Sequence, residues 1–164
     1  METPMVYRIL DSPVGRLLIA GDGSALRRLA FAAERRPAVD PAWAADDRGI
    51  LDPVASELEA YFAGRLRRFS VAVEPSGTPF QQRVWRALCD IPYGTTLSYG
   101  ELARRIDAAR AVRAVGAANG ANPIAIIVPC HRVIGANGSL TGFGGGLPVK
   151  RALLDLEQGT RRLV

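Results

Sequence analysis

The chain has 164 residues, 48% apolar and 23% charged, proportions of an ordinary folded domain that exclude a disordered tail, a collagen-like fibre or a low-complexity linker. No apolar run approaches the roughly 18 residues that span a bilayer, and the opening METPMVYRIL lacks the basic flank and apolar core of a secretion signal, so a soluble, cytoplasmic protein is expected. The formal charge of +5 is uneven: residues 1–78 hold ten basic and eleven acidic side chains, residues 79–164 eleven and five.

A basic second half beside a neutral first half points to a polyanionic partner. Arginine-favouring base composition accounts for the same excess, since Lys150 is the one lysine. In chain order, VYRIL and RLLIA flank the turn DSPVG, and GDGS separates RLLIA from LRRLAFA; each reads as a short strand. Pro37 to Asp47 reads as a loop. Val54, Leu58, Tyr61 and Phe62 mark one face of a helix from Asp52 to Phe62, with Gly64 as its stop. RFSVAVE alternates as one more strand, completing a small sheet-and-helix lobe.

Near Ser76 the pattern changes. Thr78 before Pro79 starts a helix whose apolar face is Phe80, Val84, Leu88 and Ile91, with Cys89 expected in the core. Ser98 stands three residues before Glu101, a capping-box spacing, and that helix runs through Leu102 to Ile106. After a break at Asp107 comes the alanine-rich helix AARAVRAVGAAN. The pair forms a candidate helix-turn-helix. Ile124 to Val128 is a β-branched run that reads as a buried strand delivering Pro129-Cys130-His131-Arg132-Val133. A glycine-rich loop follows, and the last helix runs from Pro148 to Gln158 with Gly159 after its end. The expected architecture is α+β: an N-terminal sheet-and-helix lobe over 1–76, then a mostly helical domain over 77–164 that carries the candidate helix-turn-helix and Cys130.

Two cysteines and one histidine exclude a disulfide framework and a four-ligand Cys/His zinc site. The lone histidine directly follows Cys130. A thiolate is a nucleophile, and an imidazole can take its proton directly or through one water. Glu157 on the final helix is the candidate that orients His131 and favours its cationic form, and a thiolate more populated than in a free thiol is then expected. A small buried cysteine beside a turn histidine is the plainer alternative. Ala111, Ala114, Ala117 and Ala118 give a helix surface of little bulk beside Arg110 and Arg113, suited to close approach in a minor groove or equally to tight internal packing. The segment Thr141 to Leu147 offers backbone amides to a pocket, or is simply a flexible turn.

The run Asn122-Pro-Ile-Ala-Ile-Ile-Val-Pro-Cys-His-Arg-Val133, with SYGELA, ARAVRAVGAANGANP and GGGLPVKRALLDLE, resembles the 6-O-alkylguanine-DNA alkyltransferases (methylated-DNA–protein-cysteine methyltransferases) over nearly the whole chain. The resemblance implies direct DNA repair: one irreversible transfer of an alkyl group from guanine's exocyclic oxygen in duplex DNA to Cys130, after base flipping. Alkylated thymine stays open as a second substrate. His131 would act as base through a water, Glu157 would orient it, and Asn122 would be the hinge between the DNA helix and the cysteine segment. Arg113 would fill the hole left by the extruded nucleotide, on a DNA-facing surface that includes Arg110, Ala114 and Gly116. Tyr99 would help rotate the nucleotide, and Val133, Phe143 and Gly144 would line the base pocket. Phe143 stands where relatives often have tyrosine. Residues 1–78 lack both cysteine and histidine, so a structural zinc found in some relatives has no ligands there. No cofactor, metal or protein partner is implied, and a monomer is expected, with cooperative binding on DNA left open. A sequence-reading regulator would instead carry polar base-reading side chains on the second helix, and a cysteine hydrolase would turn over.

Overall fold

The computed structural model describes residues 4–31 and 39–159. The first lobe is built on β1 (Val6–Leu10), β2 (Leu17–Gly21) and β3 (Leu26–Phe31), consecutive antiparallel strands, with the two-residue β4 (Ala44–Ala45) parallel to β1, in the order β3-β2-β1-β4. β4 lies within the segment read as a loop. The ends of that reading and of LRRLAFA, at Pro37 and Ala32, fall outside the described residues. β2 is buried along its whole length, as a strand covered on both faces must be. Helix α1 (Asp52–Phe62) has Pro53 in its first turn and puts Val54, Leu58, Tyr61 and Phe62 into the core.

RFSVAVE is not a strand of its own: among its residues only Val73 bridges, to Leu26 of β3. The cause is a competing acceptor. The Glu57 carboxylate takes the Ser70 hydroxyl (2.7 Å) and the amides of Ser70 (2.9 Å) and Val71 (3.0 Å), and those amides are donors a ladder would have used.

In the second lobe, α2 (Pro79–Cys89) starts on a full Thr78–Gln81 capping box. Cys89, expected in the core, is exposed at the last position of α2, and the adjoining Leu88 is the residue buried there. A short β5 (Leu97–Ser98) leads into α3 (Tyr99–Arg105), capped by Ser98 and Glu101. Helix α4 (Val112–Gly120) buries Val115, Ala118 and Asn119, and the Trp85 indole of α2 donates to Ala118 O at 2.8 Å. β6 (Val133–Ile134) pairs parallel with β5, and α5 (Leu147–Gln158) ends at Gly159, whose left-handed φ of 73° stops it.

The β-branched run also departs from expectation. Only Ile124 bridges, to Leu29 of β3; the chain then turns tightly, with Ile126 at φ 70°, Ile127 N donating to Ala125 O and Val128 N to Ile124 O. Ile124, Ile126 and Val128 are all buried, so a continuous apolar run met its burial as a packed turn, which periodicity cannot tell from a buried strand. Asn122 straps the turn shut: its Nδ2 donates to Val128 O at 2.8 Å and its Oδ1 accepts from Ile124 N at 3.0 Å. No helix among the described residues is long and apolar enough to cross a membrane.

Candidate active site and DNA-facing surface

The turn strapped by Asn122 delivers Cys130-His131-Arg132 as a single 3-10 turn, not the end of a strand. All three side chains are buried. α5 packs back on this turn and places Glu157 beneath it. Glu157 Oε2 accepts from the Tyr61 hydroxyl of α1 at 2.6 Å and meets His131 Nε2 at 2.7 Å, while Oε1 accepts from Arg132 Nε at 2.7 Å. Arg132 is further held by donating Nη1 to Ile91 O at 2.6 Å.

Burial alone would push the Glu157 carboxyl up, but the hydrogen bonds and charges of His131 and Arg132 outweigh it and hold the group at about 2. It is therefore ionised at neutral pH. With Nε2 committed to a carboxylate, a neutral His131 carries its proton there and leaves Nδ1 as the acceptor. Nδ1 is buried and bonded to no protein group among the described residues.

Cys130 behaves differently from expectation. Burial pushes its thiol up, against weaker opposing pulls from the Asn122 amide and the Lys150 charge, so the resting group is a thiol and not an enriched thiolate. Its carbonyl accepts from Asn119 Nδ2 at 3.4 Å. Cys130 lines a cleft of about 320 Å³ together with Asn122, Ala125, Phe143 and Gly144 from its own lobe and Arg28 and Phe31 from β3. The Phe31 and Phe143 rings are 5.4 Å apart and form its apolar wall.

Val133 does not line this cleft: its side chain is fully buried and its carbonyl accepts from Lys150 Nζ at 2.6 Å. Tyr99 stands at the start of α3, its hydroxyl accepting from Thr141 Oγ1 at 3.0 Å and its ring beside Gly116, where an added Cβ would touch it at 3.8 Å. Arg113 and Ala114 lie exposed on α4 and Arg110 exposed just before it.

Three residues escaped the sequence reading. Tyr61 was assigned only to the core of α1. Lys150, fully buried, ties the glycine-rich loop down by donating to Val133 O and to Thr141 O at 2.9 Å. Asn119 was read as a helix end. The one available signal was Lys150, a lone lysine amid the apolar residues of an amphipathic helix.

The arrangement is a shielded thiol and an imidazole poised by a carboxylate, set beside a helix pair whose outer surface is small and cationic. Two family models cover the chain: the ribonuclease-like domain of 6-O-methylguanine DNA methyltransferase matches residues 5–75, and its DNA binding domain matches residues 79–159. The chain is 51% identical over 154 residues to a methylated-DNA–protein-cysteine methyltransferase of Methanosarcina mazei, covering 94% of this chain and 98% of that protein. A Mycobacterium bovis protein of the same name is 55% identical over 152 residues, covering 93% and 92%. Among solved structures, Mycobacterium tuberculosis O6-methylguanine methyltransferase superposes with a TM-score of 0.88 at 54% identity, covering 96% of this chain and 94% of that one. Mycobacterium tuberculosis OGT in complex with DNA gives 0.87 at 56% identity, covering 93% and 92%.

Proposed function

The chain belongs to the 6-O-methylguanine DNA methyltransferase family, and on that premise we propose how its residues divide the work of the reaction. The activity is that of a methylated-DNA–protein-cysteine methyltransferase: an alkyl group on the exocyclic oxygen of guanine in DNA passes to a cysteine of the protein itself. Cys130 is that acceptor. The observation that carries the assignment is the buried His131–Glu157 contact of 2.7 Å directly behind the cysteine.

A lesion inside the duplex is out of reach, so the nucleotide must leave the stack, at a cost of a few kcal/mol. The exposed face of α4 supports that step. Arg113 enters the stack in place of the extruded base, Ala114 and Gly116 let the backbone come close, Arg110 meets phosphate, and Tyr99 steers the nucleotide toward Cys130. Phe143 and Gly144 flank the base, on a loop that Lys150 ties to the Val133 carbonyl. Asn122 holds the turn that joins α4 to the cysteine. The Cys130 thiol then gives its proton toward His131 Nδ1 through a water, its sulfur lone pair forms a bond to the alkyl carbon, and the carbon–oxygen bond breaks with its electron pair on the guanine. The proton passes on to the guanine, leaving a neutral base and a thioether. A thioether is a poor leaving group, so each molecule acts once.

We divide the chain into two units, a sheet-and-helix lobe over 1–76 and a DNA-binding and acceptor domain over 77–164 that carries both steps, acting as a monomer on duplex DNA. Mass spectrometry after incubation with a duplex carrying one O6-methylguanine tests the reading: one methyl on Cys130 and no second turnover are expected. A methyl on Cys89, or steady turnover, overturns it.

A further inference from the structure

One charged side chain at the cleft is without a partner among the described residues. Arg28 is half-buried on β3, its Nε enclosed and hydrogen-bonded to nothing. Neighbouring arginines are engaged: Arg27 meets Asp22 at 3.1 Å and Glu74 at 3.4 Å, and Arg8 meets Asp52 at 2.7 Å. A buried guanidinium N–H without an acceptor costs stability until an acceptor reaches it.

Its position is fixed by the backbone. The next residue, Leu29, donates its N–H to Pro123 O at 2.9 Å and accepts from Ala125 N at 3.1 Å, locking β3 to the turn that carries Cys130. Arg28 and Cys130 consequently line the same cleft, whose volume of about 320 Å³ exceeds what a methyl group needs. From α4 this cleft takes only the C-terminal end, Asn119 and Gly120, about 10 Å along the axis from Arg113. The DNA backbone that follows the exposed face of α4 therefore lies toward the other end. On its Cys130 side Arg28 is within reach of whatever hangs from the guanine oxygen beyond the reacting carbon, while its other side borders a groove with Asp40 and Trp43.

We propose that Arg28 adapts this protein to guanine substituents that end in a carboxylate. The carboxylate pairs with the guanidinium across the cleft, against the Phe31–Phe143 wall, and the first carbon is presented to sulfur. This rests on Cys130 being the alkyl acceptor. The chemistry is unchanged: the thiol loses its proton, a sulfur–carbon bond forms to the first carbon, the carbon–oxygen bond breaks with its pair on the guanine, the guanine gains the proton, and the carboxylate stays on the thioether.

The test uses three duplexes that differ only in the group on the guanine oxygen: methyl, carboxymethyl and its neutral amide, carbamoylmethyl. Single-turnover transfer is measured for the native chain, Arg28→Gln and Arg28→Lys. The native chain should transfer carboxymethyl about tenfold faster than carbamoylmethyl. Arg28→Gln should bring the carboxymethyl and carbamoylmethyl rates to within about twofold of each other, and Arg28→Lys should retain most of the preference. A native chain that does not discriminate between the two overturns the proposal, as does a glutamine variant that keeps the preference. Equal losses on all three substrates with Arg28→Gln also overturn it and assign Arg28 to DNA phosphate. Failure of the native chain to transfer even methyl would instead bring down Cys130 as the acceptor, a separate result.

Discussion

Replacing Glu157 by glutamine keeps the side chain's outline and removes its charge. Oε2 meets three donors, the Tyr61 hydroxyl at 2.6 Å, His131 Nε2 at 2.7 Å and Arg132 Nη2 at 3.1 Å, and Oε1 takes Arg132 Nε at 2.7 Å. A carboxamide has one oxygen, so either orientation turns its NH2 toward a guanidinium N–H. With the NH2 in the Oε2 position, His131 Nε2 must accept, which moves the imidazole proton to Nδ1 and removes the atom that would take the thiol's proton. Held from 4.5 down to about 2, the carboxylate interacts with its partners about 3 kcal/mol more strongly than its protonated form, the same range as breaking a buried ion pair from one side. The expected loss for Glu157→Gln is therefore about 3 kcal/mol in urea unfolding, with methyl transfer slowed tenfold or more. The sign with pH follows from the depressed value. This stabilisation is complete above the ordinary carboxyl value of 4.5 and is lost as pH falls toward about 2. The native urea midpoint should decline across that window and the variant's should decline less. A variant that loses under about 1 kcal/mol and transfers methyl at the native rate refutes the reasoning.

Cys130→Ala should keep duplex binding and take up no alkyl group, read by gel shift and mass spectrometry; loss of binding would place Cys130 in the fold. Arg113→Ala should slow transfer from duplex DNA at least tenfold more than transfer from the free modified base; equal losses on both substrates would put Arg113 in the pocket. Lys150→Met removes the cation that donates to Val133 O and Thr141 O at nearly constant length. It should cost about 2 kcal/mol and slow transfer by loosening the loop that carries Phe143, and unchanged urea unfolding would refute that anchoring role.

The helices were legible because their signals are local: Thr78 with Pro79, Ser98 with Glu101 and Gly159 each act within one turn of the helix ends they mark. The segment before the cysteine was not, because Ile124 to Val128 has the composition of a strand and its turn is closed by a single side chain, Asn122. RFSVAVE failed for a similar reason, its amides being drawn off by Glu57. The His131–Glu157 contact was open to inference because both residues are ionisable and the final helix had to fold back. Tyr61, 96 positions before Glu157, offered no such handle, since a tyrosine at an apolar helix position is accounted for by burial alone. The small side chains of α4 and the arginines beside them were visible, while the fact that Arg28 faces the same cleft as Cys130 follows from one bridge, Leu29 to Ile124, that no periodicity encodes.

The hydroxyl of Tyr61 also bears on how this architecture can be inherited or recombined. It belongs to the first lobe, yet it ends on the same carboxylate oxygen as the histidine of the second. An N-terminal lobe exchanged as a cassette for that of another relative would have to bring a donor to that spot within a few tenths of an ångström, or leave an ionised oxygen with one partner fewer. Chimaeras joined near residue 76 should accordingly work when the donor lobe carries tyrosine at the matching helix position, and lose activity when it carries phenylalanine, however well the two surfaces fit.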